Sequence, residues 1–160
     1  MKNKSKIIFS LIALFFLTMA MTCKDDENHH RTIAVINNSE KAIYVCCDIT
    51  YPDTLSNAVG GVLSQPEIYK VEPRTKNTTA LWDRDFWEIN FKDERYMPSD
   101  TLMVFIMDAE LLESRTTHVN NTIIRRYDLS LQDLQYLNWT LSYPPSPKMS
   151  TTKMHPPYGH

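Results

Sequence analysis

The stretch Trp82-Asp83-Arg84-Asp85-Phe86-Trp87-Glu88, followed by Lys92-Asp93-Glu94-Arg95-Tyr96, is the densest set of polar and aromatic side chains in the 160-residue chain. Carboxylates beside tryptophans are what a sugar site needs. An aromatic face covers the C–H face of a pyranose, and two carboxylates held about 5 to 9 Å apart serve as acid and base in glycoside hydrolysis. Asp83, Asp85 and Glu88 are the candidate carboxylates, and Trp82 and Phe86 the candidate ligand-binding rings. Trp87 alternates with Ile89 and Phe91, so it is expected in the core. The plainer alternative is that Asp83-Arg84-Asp85 is a turn between two strands. If Trp82 and Phe86 stand exposed, the patch is expected to bind a glycan or a peptide rather than to hydrolyse one, and no catalytic residue is assigned.

Other chemistries find less support. His29 and His30 stand near the start of the chain and His155 and His160 near its end, with His118 alone between them, and none has metal-ligand spacing. There is no Gly-x-Ser-x-Gly elbow, and three glycines in all leave no phosphate-binding glycine loop. No metal and no cofactor is therefore expected.

Cys23 carries a different chemistry. It follows Lys2, Lys4 and Lys6, a fourteen-residue apolar run over 7–20, and Met21-Thr22. That run is shorter than the roughly twenty residues needed to cross a bilayer, so a cleaved signal is expected, with Cys23 as the new N-terminus. The segment resembles the lipobox of bacterial lipoproteins, in which the cysteine thiol becomes a thioether to diacylglycerol. It departs from the usual pattern at Ala20, Met21 and Thr22. Lys24, Asp25, Asp26 and Glu27 resemble the signal that sends lipoproteins of certain Gram-negative bacteria to the outer face of the outer membrane, and a plain solvated tether is the alternative. At about 0.8 kcal/mol per buried CH2, several acyl chains would hold such a protein on the membrane. A periplasm-facing or simply secreted protein is the other expectation.

Loss of residues 1–22 removes three lysines and leaves 14 basic against 19 acidic residues, a net charge of −5. Nucleic acid is an improbable partner for such a chain. Only Cys46 and Cys47 remain beside Cys23, so no disulfide framework exists. Neighbours on a strand point to opposite faces, which puts Cys47 in the core and Cys46 on the other side as thiols; a redox-active vicinal pair is the alternative.

These side chains need elements to position them. Residues 43–51 alternate as a half-buried strand, residues 32–36 are β-branched and apolar, and Asn37-Asn38-Ser39-Glu40 between them suggests a hairpin. Residues 54–66 read as a long surface loop. Further strands are expected at 68–72, 78–82 and 87–91. Residues 102–107 are apolar on both faces, so that strand should be central. A helical turn over 109–114 begins at Asp108 as N-cap, and a strand follows at 123–129. Ser130 and Asp133 start a short helix carrying Leu131, Leu134 and Leu137, and Trp139, Leu141 and Tyr143 share one face of a last strand. Many short strands with sparse helix predict a mainly β fold, a single antiparallel β-sandwich with one or two helical turns.

The expected boundaries are a signal over 1–22, a lipidated flexible tether over 23–31, the sandwich over 32–144, and a proline-rich disordered tail over 145–160. Across residues 126–140, from Arg126-Tyr127-Asp128-Leu129-Ser130 to Asn138-Trp139-Thr140, the chain resembles a family of small outer-membrane lipoproteins of gut anaerobes. The resemblance implies an address and fold boundaries, and no catalytic content. The repeated Asp53-Thr54-Leu55 and Asp100-Thr101-Leu102 resemble the O-glycosylation acceptor motif of exported proteins in such bacteria, with Thr54 and Thr101 as acceptors; Asp-Thr closing a turn before a strand explains them equally. The expected protein is a lipid-anchored, non-enzymatic binding or accessory module. A glycan hydrolase, or a structural subunit pairing through a strand edge, are the alternatives.

Overall fold

Residues 102–107 alternate two apolar series, and such a strand is stable only with cover on both sides. The computed structural model, which describes residues 29–52 and 59–160, buries all six of these side chains. They belong to β5 (Leu102–Asp108), the middle strand of a five-stranded sheet. Its neighbours are β2 (Ile43–Asp48) and β6 (Ile123–Leu129), and its edges are β3 (Lys70–Val71) and β8 (Lys153–His155). All ladders of this sheet are antiparallel. A second sheet has β1 (Ala34–Asn37) between β4 (Lys76–Asn77) and β7 (Thr140–Tyr143). The fold is mainly β.

One apolar core joins the two sheets. Ile33 and Val35 beside β7's Leu141 meet Ile43, Val45, Val104, Ile106, Tyr127 and Leu129 of the large sheet. The reverse face of the large sheet carries Tyr44, Cys46, Met103, Phe105 and Met107. It is covered by Val62 from α1 (Val59–Val62) and by Ala109 and Leu112 from α4 (Ala109–Ser114).

Helix ends follow local stereochemistry closely. Asp108 caps α4 by accepting the Leu111 N–H. Ser130 and Asp133 form a reciprocal capping box on α5 (Leu131–Tyr136): the Ser130 hydroxyl accepts the Asp133 N–H at 3.2 Å, and Asp133 Oδ2 accepts the Ser130 N–H at 2.9 Å. Ser130→Ala is expected to lower stability by about 0.5–2 kcal/mol, read as a lower urea midpoint at unchanged slope.

Several expected elements differ. Strands β1 and β2 do not form a hairpin; they lie in different sheets, and β1 runs parallel to β7 with Ala34 opposite Thr140. The reason is Asn37, wholly buried, whose amide donates to the Lys41, Val71 and Glu72 carbonyls and whose Oδ1 accepts from Ser39. The turn therefore crosses between sheets instead of reversing within one. Segment 87–91 is helical: α3 (Trp87–Asn90) buries Trp87, Glu88, Asn90 and Phe91, a helical spacing, and leaves Ile89 half exposed at 52 %. The expected strand at 68–72 is α2 (Pro66–Tyr69), begun by Pro66, followed by two-residue β3. At 78–82 only a Thr32–Trp82 bridge remains, because Asn77 Oδ1 accepts the Thr79 and Ala80 N–H groups and turns the chain away. The expected surface loop contains α1, with Val62 fully buried; its residues 54–58 lie outside the described ones.

Both ends of the domain extend further than expected. Proline content predicts disorder over 145–160, yet β8 pairs with β6 and Met149 and Met154 are buried. Arg125, itself buried, donates to the carbonyls of Pro156, Pro157 and His160, so the tail's backbone acceptors are satisfied without a sheet. Residues 29–31, assigned to the tether, are part of the fold. The His30 carbonyl accepts the Trp87 N–H, and the Arg31 carbonyl accepts the Asp83 N–H.

Candidate binding surface

The residues of the 82–96 segment are gathered at one place, with unequal roles. The turn over 83–85 is closed by Asp83 Oδ1, which accepts the Asp85 N–H at 3.0 Å. Its Oδ2 accepts the Tyr96 hydroxyl at 2.8 Å, which fixes Tyr96 beside the Trp82–Asp83 backbone. Burial first, and then the Asp83 carboxylate, push the Tyr96 phenol up to about 12, so it stays a donor at neutral pH. Trp82 is 55 % exposed and Tyr96 39 %. Phe86 is half-buried under the Arg31 guanidinium, 4.7 Å from its ring centre. Asp85 stands exposed.

Glu88 is not available to such a site. It is buried, its Oε1 lies 2.6 Å from His30 Nδ1, and its Oε2 accepts the His30 N–H at 2.9 Å. The His30 ring stacks on Trp139 with 4.4 Å between ring centres. Trp139 adopts φ +54°, a conformation that costs a bulky residue energy, and packing against His30 and the core holds it there. Glu88, His30 and Trp139 thus form a clasp that ties residue 30 to the core. Trp87 is in the core, as its spacing suggested, though on a helix.

Two isolated carboxylates would be needed for acid–base work, and here Asp83 is a turn acceptor and Glu88 is taken up by hydrogen bonds to His30. What stays presented to solvent is aromatic surface with Asp85 beside it.

The remaining sequence candidates are dispersed. Thr101 is half-buried and its hydroxyl donates to the Ser99 carbonyl at 3.0 Å, the arrangement of a turn closing before β5. Thr54 lies outside the described residues, as do Cys23, Lys24, Asp25, Asp26 and Glu27. No disulfide joins Cys46 and Cys47, and the two face opposite sides of β2. Burial, helped by Asp83 and Asp48, pushes the Cys47 thiol up to about 12. Cys47 is therefore expected to react with iodoacetamide at pH 8 orders of magnitude more slowly than a solvated thiol, as time-resolved peptide mass spectrometry would show.

A second polar group escaped sequence reasoning. Strand register sets Phe105 of β5 opposite Arg126 of β6, and Arg126 opposite His155 of β8. The next row on the same face is Met103, Asp128 and Lys153. Asp128 is buried; Arg126 Nε lies 2.7 Å from its Oδ1 and Arg126 Nη2 donates to its Oδ2 at 3.0 Å. Lys153 and His155 stand 3.5 and 3.6 Å from the same carboxylate. The only sequence signal was Arg-Tyr-Asp alternation on β6, which marks one polar face without saying what lies opposite. Among the described residues, no three His, Cys, Asp or Glu side chains are placed to hold a metal ion. No protein-family model matches the chain, no curated protein matches its sequence, and no solved structure matches its fold.

Proposed function

We propose that the chain is a lipid-anchored, outward-facing module of an outer membrane that binds a glycan through Trp82, Phe86 and Tyr96 and does not hydrolyse it. The observation that supports binding is the contrast within one segment: the Trp82 ring is more than half exposed, while Asp83 and Glu88 already hold internal partners. Asp85 beside the rings is a free acceptor for sugar hydroxyls. The address rests on Cys23 and the Lys24-Asp25-Asp26-Glu27 run that follows it. Pairing through a strand edge has less support, since the edge strands β3 and β4 are two residues long, β8 three and β7 four, and short edges make poor templates.

Two experiments test the reading. On a glycan array the wild type is expected to bind a defined subset without releasing reducing ends, and Trp82→Ala to bind it about tenfold more weakly or worse. Turnover lost in Asp85→Ala would favour the hydrolase instead. For the address, Cys23→Ala is expected to move the protein from the membrane to the soluble fraction, and protease added to intact cells to degrade the wild type. Complete protection in intact cells would overturn the outward orientation.

A further inference from the structure

The reverse face of the large sheet opens beside β6 and β8 into a cavity of about 560 Å³, lined by Phe105, Asn120, Ile123, Arg126, His155 and Pro156. It is separate from the Trp82 surface and independent of the glycan reading. A cavity with apolar walls and a few converging polar groups is the usual form of a small-molecule site. Here the walls are built by register. Between Ile106 and Met107 the β5–β6 ladder slips by one residue, so that Ile123 pairs opposite Met107 and Arg125 opposite Ile106. That bulge turns Ile123 onto the face of Phe105 and Arg126, and sends Ile124 to the other core.

The polar groups are held in place and only partly used. Arg126 is fixed by the buried Asp128 through its Nε and Nη2 side. Among the described residues its Nη1 has no hydrogen-bond partner, and neither has the Asn120 carboxamide. Two fixed cations, Arg126 and Lys153, stand against the single Asp128 carboxylate, so the cluster keeps an excess positive charge on a chain that is acidic overall. Lys153 is further held by the Tyr51 hydroxyl at 2.6 Å. A guanidinium with one edge buried against a carboxylate and the other edge open offers a fixed, charge-assisted donor.

We propose that this cavity binds a small amphipathic carboxylate, its apolar body against Phe105, Ile123 and Pro156 and its carboxylate on Arg126 Nη1 and the Asn120 amide. Charge complementarity selects an anion, and the apolar floor selects one with a hydrocarbon body over a bare ion. His155 lines the polar side of the opening.

The test uses the full chain with isoleucine methyl groups labelled for NMR, the Ile123 signal being assigned through Ile123→Val. Octanoate is expected to shift the Ile123 methyl saturably, while octanamide and inorganic phosphate at equal concentration leave it in place. Arg126→Gln strands the buried Asp128 and so risks unfolding. Asn120→Asp avoids this, because the amide has no internal partner to lose. It places a like charge at the carboxylate position, and is expected to weaken octanoate about tenfold or more with the other methyl signals unchanged. An equal response to octanamide would overturn the role of charge, an equal response to phosphate would overturn the apolar floor, and unchanged octanoate affinity in Asn120→Asp would overturn the site.

Discussion

Removal of residues 146–160 is expected to unfold the domain rather than trim it. The deletion takes away Met149 and Met154, buried in the core shared by the two sheets, and large-to-small changes at such positions cost about 2–5 kcal/mol each. It also exposes the β6 ladder where Met154 covers Tyr127. Arg125 loses the Pro156, Pro157 and His160 carbonyls, the charge-assisted hydrogen bonds that tie the tail to β6. Against a total stability of about 5–15 kcal/mol, these losses leave little or nothing. Far-UV circular dichroism and NMR dispersion should therefore collapse. A tail that merely followed the domain would leave the spectrum and the urea midpoint unchanged.

Asp128→Ala is expected to cost about 3–5 kcal/mol, because Arg126 keeps its charge at a largely buried place while its counter-charge disappears. Lys153, drawn to the same carboxylate, then repels Arg126 instead of sharing its partner. The double variant Arg126→Leu with Asp128→Leu removes both charges together, and an apolar pair of similar shape replaces a buried ion pair at little cost. The expected order in urea unfolding is wild type close to the double variant, with Asp128→Ala far below both. Additive losses in the two leucine substitutions would show instead that each residue acts by packing alone. The double variant should also lose octanoate binding while staying folded, which separates the role of the pair in the cavity from its role in stability.

Legibility in the sequence depended on the range of the interaction. The two-faced strand at 102–107, the Asp108 cap and the Ser130–Asp133 box were readable, because each is a pattern over a few neighbouring residues. The segment at 87–91 suits two periods: Trp87 and Phe91 fit alternation and helical spacing equally, and the exposure of Ile89 decides between them only in three dimensions. In the candidate site, residue types marked the place but not the roles. Nothing near Glu88 announces His30 as its partner, since that contact spans 58 positions.

By itself, then, the sequence determined a mainly β chain, its central strand, two capped helices and the side chains of an aromatic surface. Those features follow from backbone and side-chain stereochemistry within a turn or two. The tertiary structure alone decided that β1 runs parallel to β7, that the proline-rich end contributes a three-residue strand to the large sheet, and that Phe105, Arg126 and His155 share a row. Pairing and register across distant strands are settled by which faces bury together, and one bulge at Ile124 reverses which side chain meets the cavity.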